Sequence, residues 1–151
     1  MKFKVLIIGI VMFSVLFSGC VDNSGENSDL KIINNSNVEK IEVIHFHLNQ
    51  QCPSCIVLGN YAEETINTYF SSEISSGKIE FKHLNLEVPE NKEIVSKYGA
   101  TGSSIWIGTY TTDGDFYAEE NVNLWYKLNN KEDYEDYLKQ LLEKRLSGDM
   151  G

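Results

Sequence analysis

The chain is poor in positive charge. Its 151 residues include one arginine, Arg145, and 22 acids stand against 13 Lys and Arg, for a formal net charge of −9. Nucleic acids and anionic lipid surfaces are held by clustered Lys and Arg, so neither is expected as a partner. Long apolar runs are lacking too. The longest, Val5 to Phe17, is too short to cross a bilayer comfortably. Cysteine is scarce: Cys20, Cys52 and Cys55 are the whole set, which leaves no room for a framework of structural disulfides. What is present is a core's worth of apolar side chains. They make up 42% of the chain, with eight Tyr, seven Phe and two Trp, enough for one compact domain.

The N-terminus reads as an address. Lys2 and Lys4 precede the apolar run, and Ser18 and Gly19 then lead into Cys20. The segment Leu16-Phe17-Ser18-Gly19-Cys20 resembles the lipobox of secreted prokaryotic lipoproteins. The resemblance implies a signal peptide over 1–19 and a lipid on Cys20. The rest of the chain would then sit on the cell membrane, outside the cytoplasm. Residues 20–38, rich in Asn, Ser and acids, read as a flexible tether. Residues 39–147 read as the folded domain and 148–151 as a disordered tail. With Cys20 in the anchor, Cys52 and Cys55 remain, in a compartment that permits disulfides.

The order of elements is readable from pattern. Ile41 to Leu48 is β-branched and aromatic, a strand. Beyond Cys55, Leu58, Ala62, Ile66, Tyr69 and Phe70 recur at helical spacing, so a helix is expected from about 53 to 73. A strand over 79–86 follows, then a short helix opened by Pro89 and closed by Gly99. Strand 104–111 leads to Asp113-Gly114, a strong hairpin signal, and to a strand around 115–122. Residues 123–130 suggest a loop or short element, and Asn129 or Asn130 caps a last helix carrying Tyr134, Leu138 and Leu142. The order β-α-β-α-β-β-α, with C-x-x-C after the first strand, defines a thioredoxin-like α/β fold with a central mixed sheet flanked by helices. Two βαβ units sharing a strand are expected to make parallel neighbours, with the hairpin as an antiparallel edge.

The motif Cys52-Pro53-Ser54-Cys55 falls where the first strand ends and the helix begins. Free N–H groups and the helix dipole favour a thiolate there, and Pro53 suits the first helical position. In the redox reading Cys52 is the exposed nucleophile and Cys55 the resolving thiol. His45 and His47 are two apart on the strand and so share a face. They are either ordinary strand residues or partners of the thiols in sharing a proton or a metal. A metal-binding alternative uses Cys52 and Cys55 with His47, or with His45, although the spacing matches no familiar zinc pattern. His83 reads as a packing or solvent-facing strand residue.

Tyr98-Gly99-Ala100-Thr101-Gly102-Ser103-Ser104-Ile105 resembles the thioredoxin-family segment Tyr-Gly-x-x-Gly-x-Pro-Thr. Ser104 stands where that family has its cis-proline, the residue that faces the dithiol. A cis bond before Ser costs ~2.5–4 kcal/mol, so a trans loop with the Ser104 hydroxyl facing the dithiol is expected. The family's buried Asp behind the dithiol is also missing, and His45 is the candidate to replace it as proton carrier. His45-Phe46-His47 with Gln51-Cys52-Pro53-Ser54-Cys55 and Gly102-Ser103-Ser104-Ile105 is similar to small thioredoxin-like proteins of the ArsF-type nitrophenyl compound nitroreductase subunit family. The resemblance implies the fold and the paired thiols. No flavin or nicotinamide motif accompanies it, so the expected activity is thiol–disulfide oxidoreduction or electron relay. It would use no cofactor beyond the redox-active disulfide, with a protein or small-molecule thiol or disulfide as partner.

Replacement of Cys20 tests the anchor. Cys20→Ser is expected to release the domain or leave an unprocessed precursor, and intact mass of the mature wild-type protein should lack residues 1–19. Retention of those residues in mature protein contradicts the assignment.

Overall fold

A computed structural model describes residues 37–151. The signal peptide, Cys20 and nearly all of the tether lie outside the described residues. The elements are β1 (Val38–His47), α1 (Pro53–Tyr69), α2 (Ser71–Ser75), β2 (Ile79–Asn85), α3 (Lys92–Tyr98), β3 (Ser104–Thr111), β4 (Phe116–Glu120) and α4 (Lys131–Leu146). Short 3-10 turns cover Pro89–Asn91 and Val122–Lys127. The expected single helix over 53–73 breaks at Phe70, whose side chain is buried and whose backbone leaves the helical region at φ −125°. The fold is thioredoxin-like α/β, a mixed four-stranded sheet in the order β2-β1-β3-β4 with helices on both faces.

One expectation is corrected. β1 and β2 are parallel, but β3 runs antiparallel to β1, with Phe46 opposite Ser104 and Glu42 opposite Gly108. There is therefore one βαβ unit, not two. The reason is length. The seven residues of α3 span about 10 Å, whereas the seven of β2 span roughly 23 Å. So short a helix cannot carry the chain back to the start of the sheet, and β3 begins beside the end of β1.

Alternation along β1 divides its side chains between two cores. Ile41 and Val43 pack with Leu58, Ala62 and Ile66 of α1 and with Tyr134, Leu138 and Leu142 of α4. Ile44 and Phe46 pack on the other face with Tyr98 and Ala100. Each such fully buried aliphatic side chain contributes about 1.5–3 kcal/mol. The Tyr134 hydroxyl, buried between α4 and α1, donates to the Leu58 carbonyl at 2.7 Å and ties the two helices. Arg145 is only 5% exposed and needs acceptors; it takes the Glu119 carboxylate with two nitrogens and the Asp149 carbonyl at 2.7 Å.

Glu42 is an acid in the central strand and is nearly buried. Its carboxylate accepts from Tyr98 at 2.9 Å, Tyr110 at 2.5 Å and Lys40 at 3.0 Å, and Lys82 lies at 3.3 Å. Tyr98 reaches it across Gly108, where a Cβ would stand 2.0 Å from the Tyr98 hydroxyl. Burial alone raises a carboxyl, but the Tyr110, Lys40 and Tyr98 donors override it and hold Glu42 at about 2.

The Glu42 contribution is therefore complete above its ordinary value of 4.5 and disappears as pH falls toward about 2. Glu42→Gln is expected to flatten the acid limb of a urea-unfolding series over that window. It should also cost about 1–3 kcal/mol at neutral pH by leaving donors short of an acceptor. An unchanged acid limb contradicts this role.

Candidate functional site: a surface disulfide over a histidine pair

Cys52 caps α1 from outside. Its backbone is extended (φ −71°, ψ 157°), Pro53 takes the first helical position, and the Cys52 Sγ accepts the Cys55 N–H at 3.1 Å. The first turn holds no acid, so the positive end of the helix acts on sulfur rather than on a competing carboxylate. Cys52 and Cys55 form a disulfide with Cα atoms 5.0 Å apart. Cys52 is exposed and Cys55 half-buried. Leu48, before the motif in sequence, and Ile56, just after it, are 39% and 45% exposed. The loop leading to it, Leu48 to Gln50, lines a shallow groove of about 500 Å³ together with Glu87. Asn49 N–H donates to the Glu87 carboxylate at 2.5 Å, and the Asn85 amide donates to Asn49 Oδ1 at 2.7 Å, so the loop is braced from β2.

The other predicted residues divide by where they face. His45 and His47 lie on the α1 face of β1, with ring centroids 5.5 Å apart. His45 is buried, and its ring lies against Gly59, where a Cβ would fall 2.2 Å from Nδ1. Only glycine lets the helix come so close. Gly59 follows Cys55 by one turn on the same helix face, so His45 sits beneath the dithiol helix. His47 is half-buried and its Nδ1 meets the Leu48 carbonyl at 3.0 Å. The Ser104 side chain differs from expectation. It is buried, accepting from Trp106 Nε1 at 2.9 Å and donating to the Gly102 carbonyl at 3.3 Å, and neither bond reaches a cysteine. Its nearest polar partner is an indole because alternation places Trp106 on its own face of β3. Among the described residues no three His, Cys, Asp or Glu side chains gather as a metal site.

Sequence reading missed His83. It lies opposite His45 in the parallel register, and the two Nδ1 atoms are 2.9 Å apart. His83 Nε2 in turn lies 3.3 Å from the Glu63 carboxylate on α1. The signal that could have found it is the matched position of two histidines on neighbouring parallel strands. His45 Nε2 is buried without a hydrogen-bond partner. Burial, with smaller effects from His83 and His47, pushes the His45 imidazole down to about 4.

No protein-family model and no curated protein matches the chain. Among solved structures, a thioredoxin from Thermus thermophilus is similar with a TM-score of 0.45 and 14% identity over 70% of this chain and 75% of that one. A structure titled as a malarial protein follows at 0.37 and 14%, over 62% of this chain and 97% of that one. Sheet order and site together define a thioredoxin-like fold with a C-x-x-C disulfide at the start of its first helix.

His45 carries a pH prediction. The folded protein resists protonating it, while the unfolded chain takes the proton near 6.5. Its contribution is thus full above about 6.5 and lost as pH falls to about 4. Unfolding free energy should decline over that interval, and His45→Gln should remove much of the slope. An unchanged slope in the variant contradicts the assignment.

Proposed function

We propose that the protein is a membrane-tethered, extracytoplasmic thiol–disulfide oxidoreductase or electron-relay subunit. The observation that carries the reading is the exposed Cys52 sulfur, held by the Cys55 N–H at 3.1 Å at a helix start free of acids. The lipobox-like segment ending at Cys20 supports the tether and the compartment.

In the reduced protein the Cys52 thiolate attacks one sulfur of a partner disulfide. A Cys52–partner bond forms and the partner's other sulfur leaves as a thiolate. Cys55 then gives up its proton and attacks the Cys52 sulfur. The intramolecular disulfide forms, the second partner sulfur leaves, and two electrons have passed to the partner. The same steps in reverse oxidise a partner dithiol. Leu48, Ile56 and the groove beside Glu87 offer a mixed apolar and polar rim to a thiol or disulfide of a protein or small molecule. The nearest alternative, metal held by the same thiols and His47, requires the dithiol in its reduced form.

After reduction, a small alkylating agent at mildly acidic pH is expected to label Cys52 before Cys55. Cys55→Ser should trap mixed disulfides through Cys52. Faster labelling of Cys55, or trapping by Cys52→Ser in its place, overturns the roles.

A further inference from the structure

The sheet has two outer strands, β2 and β4. An outer strand presents unpaired N–H and C=O groups along one side, a template for pairing with another strand. In β2 the bonds at its two ends show which groups these are. Ile41 N–H donates to the Lys78 carbonyl and Leu86 N–H to the His47 carbonyl, both at 2.8 Å. In a parallel ladder of this register the even-numbered residues of β2 serve β1. The backbone groups of Ile79, Phe81 and His83 therefore point the other way, where no strand takes them among the described residues. A groove of about 450 Å³ lies at this edge, lined by Ile79 and Phe81, by Glu63 and Asn67 of α1, and by the exposed Ile74 of α2.

Natural edges are commonly blocked by lysine. On β2 the face shared with Glu42 alternates in sign instead, with Glu80 followed by Lys82. We propose that β2 pairs antiparallel with β2 of a second copy of this chain about a two-fold axis at Phe81, joining two four-stranded sheets into one. In that register Phe81 stands opposite Phe81 of the second copy, and Ile79 opposite His83 of the second copy. The idle backbone groups of all three residues are then satisfied.

Charge selects the register. Glu80 falls opposite Lys82 of the second copy, twice by symmetry, at the positions where facing side chains stand closest. Lys40 and Lys82 of its own chain already hold Glu80, yet its side chain is 40% exposed and has room for a third lysine. Moving the axis by one residue sets Glu80 against Glu80 or Lys82 against Lys82. An axis at Ile79 would call on Lys78, whose ammonium is taken by the Val38 carbonyl. On the other face the two Phe81 rings meet at the axis and cover the groove. β4 offers no such match: its residues, Phe116 to Glu120, end in two glutamates and include no lysine. Antiparallel pairing reverses β1 in the second copy. The two disulfides then lie at opposite ends of the joined sheet, and each Cys52 stays open to a partner, whatever its chemistry.

Sedimentation of the purified full chain tests the pairing, with the Cys52–Cys55 disulfide intact and any free thiol alkylated so that no dimer is a mixed disulfide. Wild type is expected to pass from monomer to dimer as its concentration rises toward about 1 mM. Glu80→Lys sets lysine against lysine across the axis, and Lys82→Glu sets glutamate against glutamate. Each should raise the dissociation constant about tenfold or more. An equimolar mixture of the two variants should dimerise again, because each supplies the charge that the other lacks. Neither a folding defect nor an interface elsewhere produces that recovery, and circular dichroism checks that both variants fold. The proposal is overturned by a wild type that stays monomeric to about 1 mM, by folded variants that dimerise alone as well as wild type, or by a mixture that does not recover. Should either variant fail to fold, amide hydrogen exchange of wild type decides. The Ile79, Phe81 and His83 amides should exchange more slowly as concentration rises while those of β4 do not change, and unchanged exchange at the three overturns the pairing.

Discussion

The approach of α1 to β1 at Gly59 governs the geometry of the site. A Cβ there would lie 2.2 Å from the His45 ring, so the helix rests on the imidazole with no side chain between. A glycine inside a helix costs about 1 kcal/mol relative to alanine. Here it brings the helix start, with Cys52 as its cap and Cys55 in its first turn, down over the end of the central strand. The same contact seals His45 from water and leaves it neutral. The disulfide is exposed at Cys52, and one helical turn beyond Cys55 the same helix covers the buried His45 ring.

The two faces of β1 treat their ionisable groups in opposite ways. On the α3 face Glu42 is kept charged by two tyrosine hydroxyls and two lysines. On the α1 face His45 is kept neutral, because it is buried beside two other imidazoles, His83 and His47. A buried charge needs convergent donors, and one carboxylate among Tyr98, Tyr110, Lys40 and Lys82 has them. A buried imidazole with a single partner sheds its proton instead. Both groups lose stability to the folded state on acidification, in successive windows.

Much of this was legible in the residues. The strand before the motif, the helix after it, the Asp113-Gly114 hairpin and the Asn130 cap follow from short-range chemistry, and each stands close to where pattern places it. The direction of β3 was not legible, because it depends on the length of α3 against that of a strand rather than on any local preference. Glu42 shares strand parity with Ile44 and Phe46, so its burial could be read. Its partners, drawn from α3, β3 and β2, could not. The His45–His83 pair was hidden for the same reason: it exists only through the β1–β2 register. Ser104 was assigned by resemblance to a proline that has no hydroxyl, so the resemblance carried no information about where that hydroxyl turns.

The most direct test of the account is a redox titration of the purified protein across a series of dithiol and disulfide buffers, with free thiols counted by mass after alkylation. The account predicts one reversible two-electron transition, close to 30 mV per decade, between species with zero and two alkylated cysteines, both labels falling on Cys52 and Cys55. A folded protein whose Cys52–Cys55 pair stays wholly oxidised or wholly reduced across the series contradicts it.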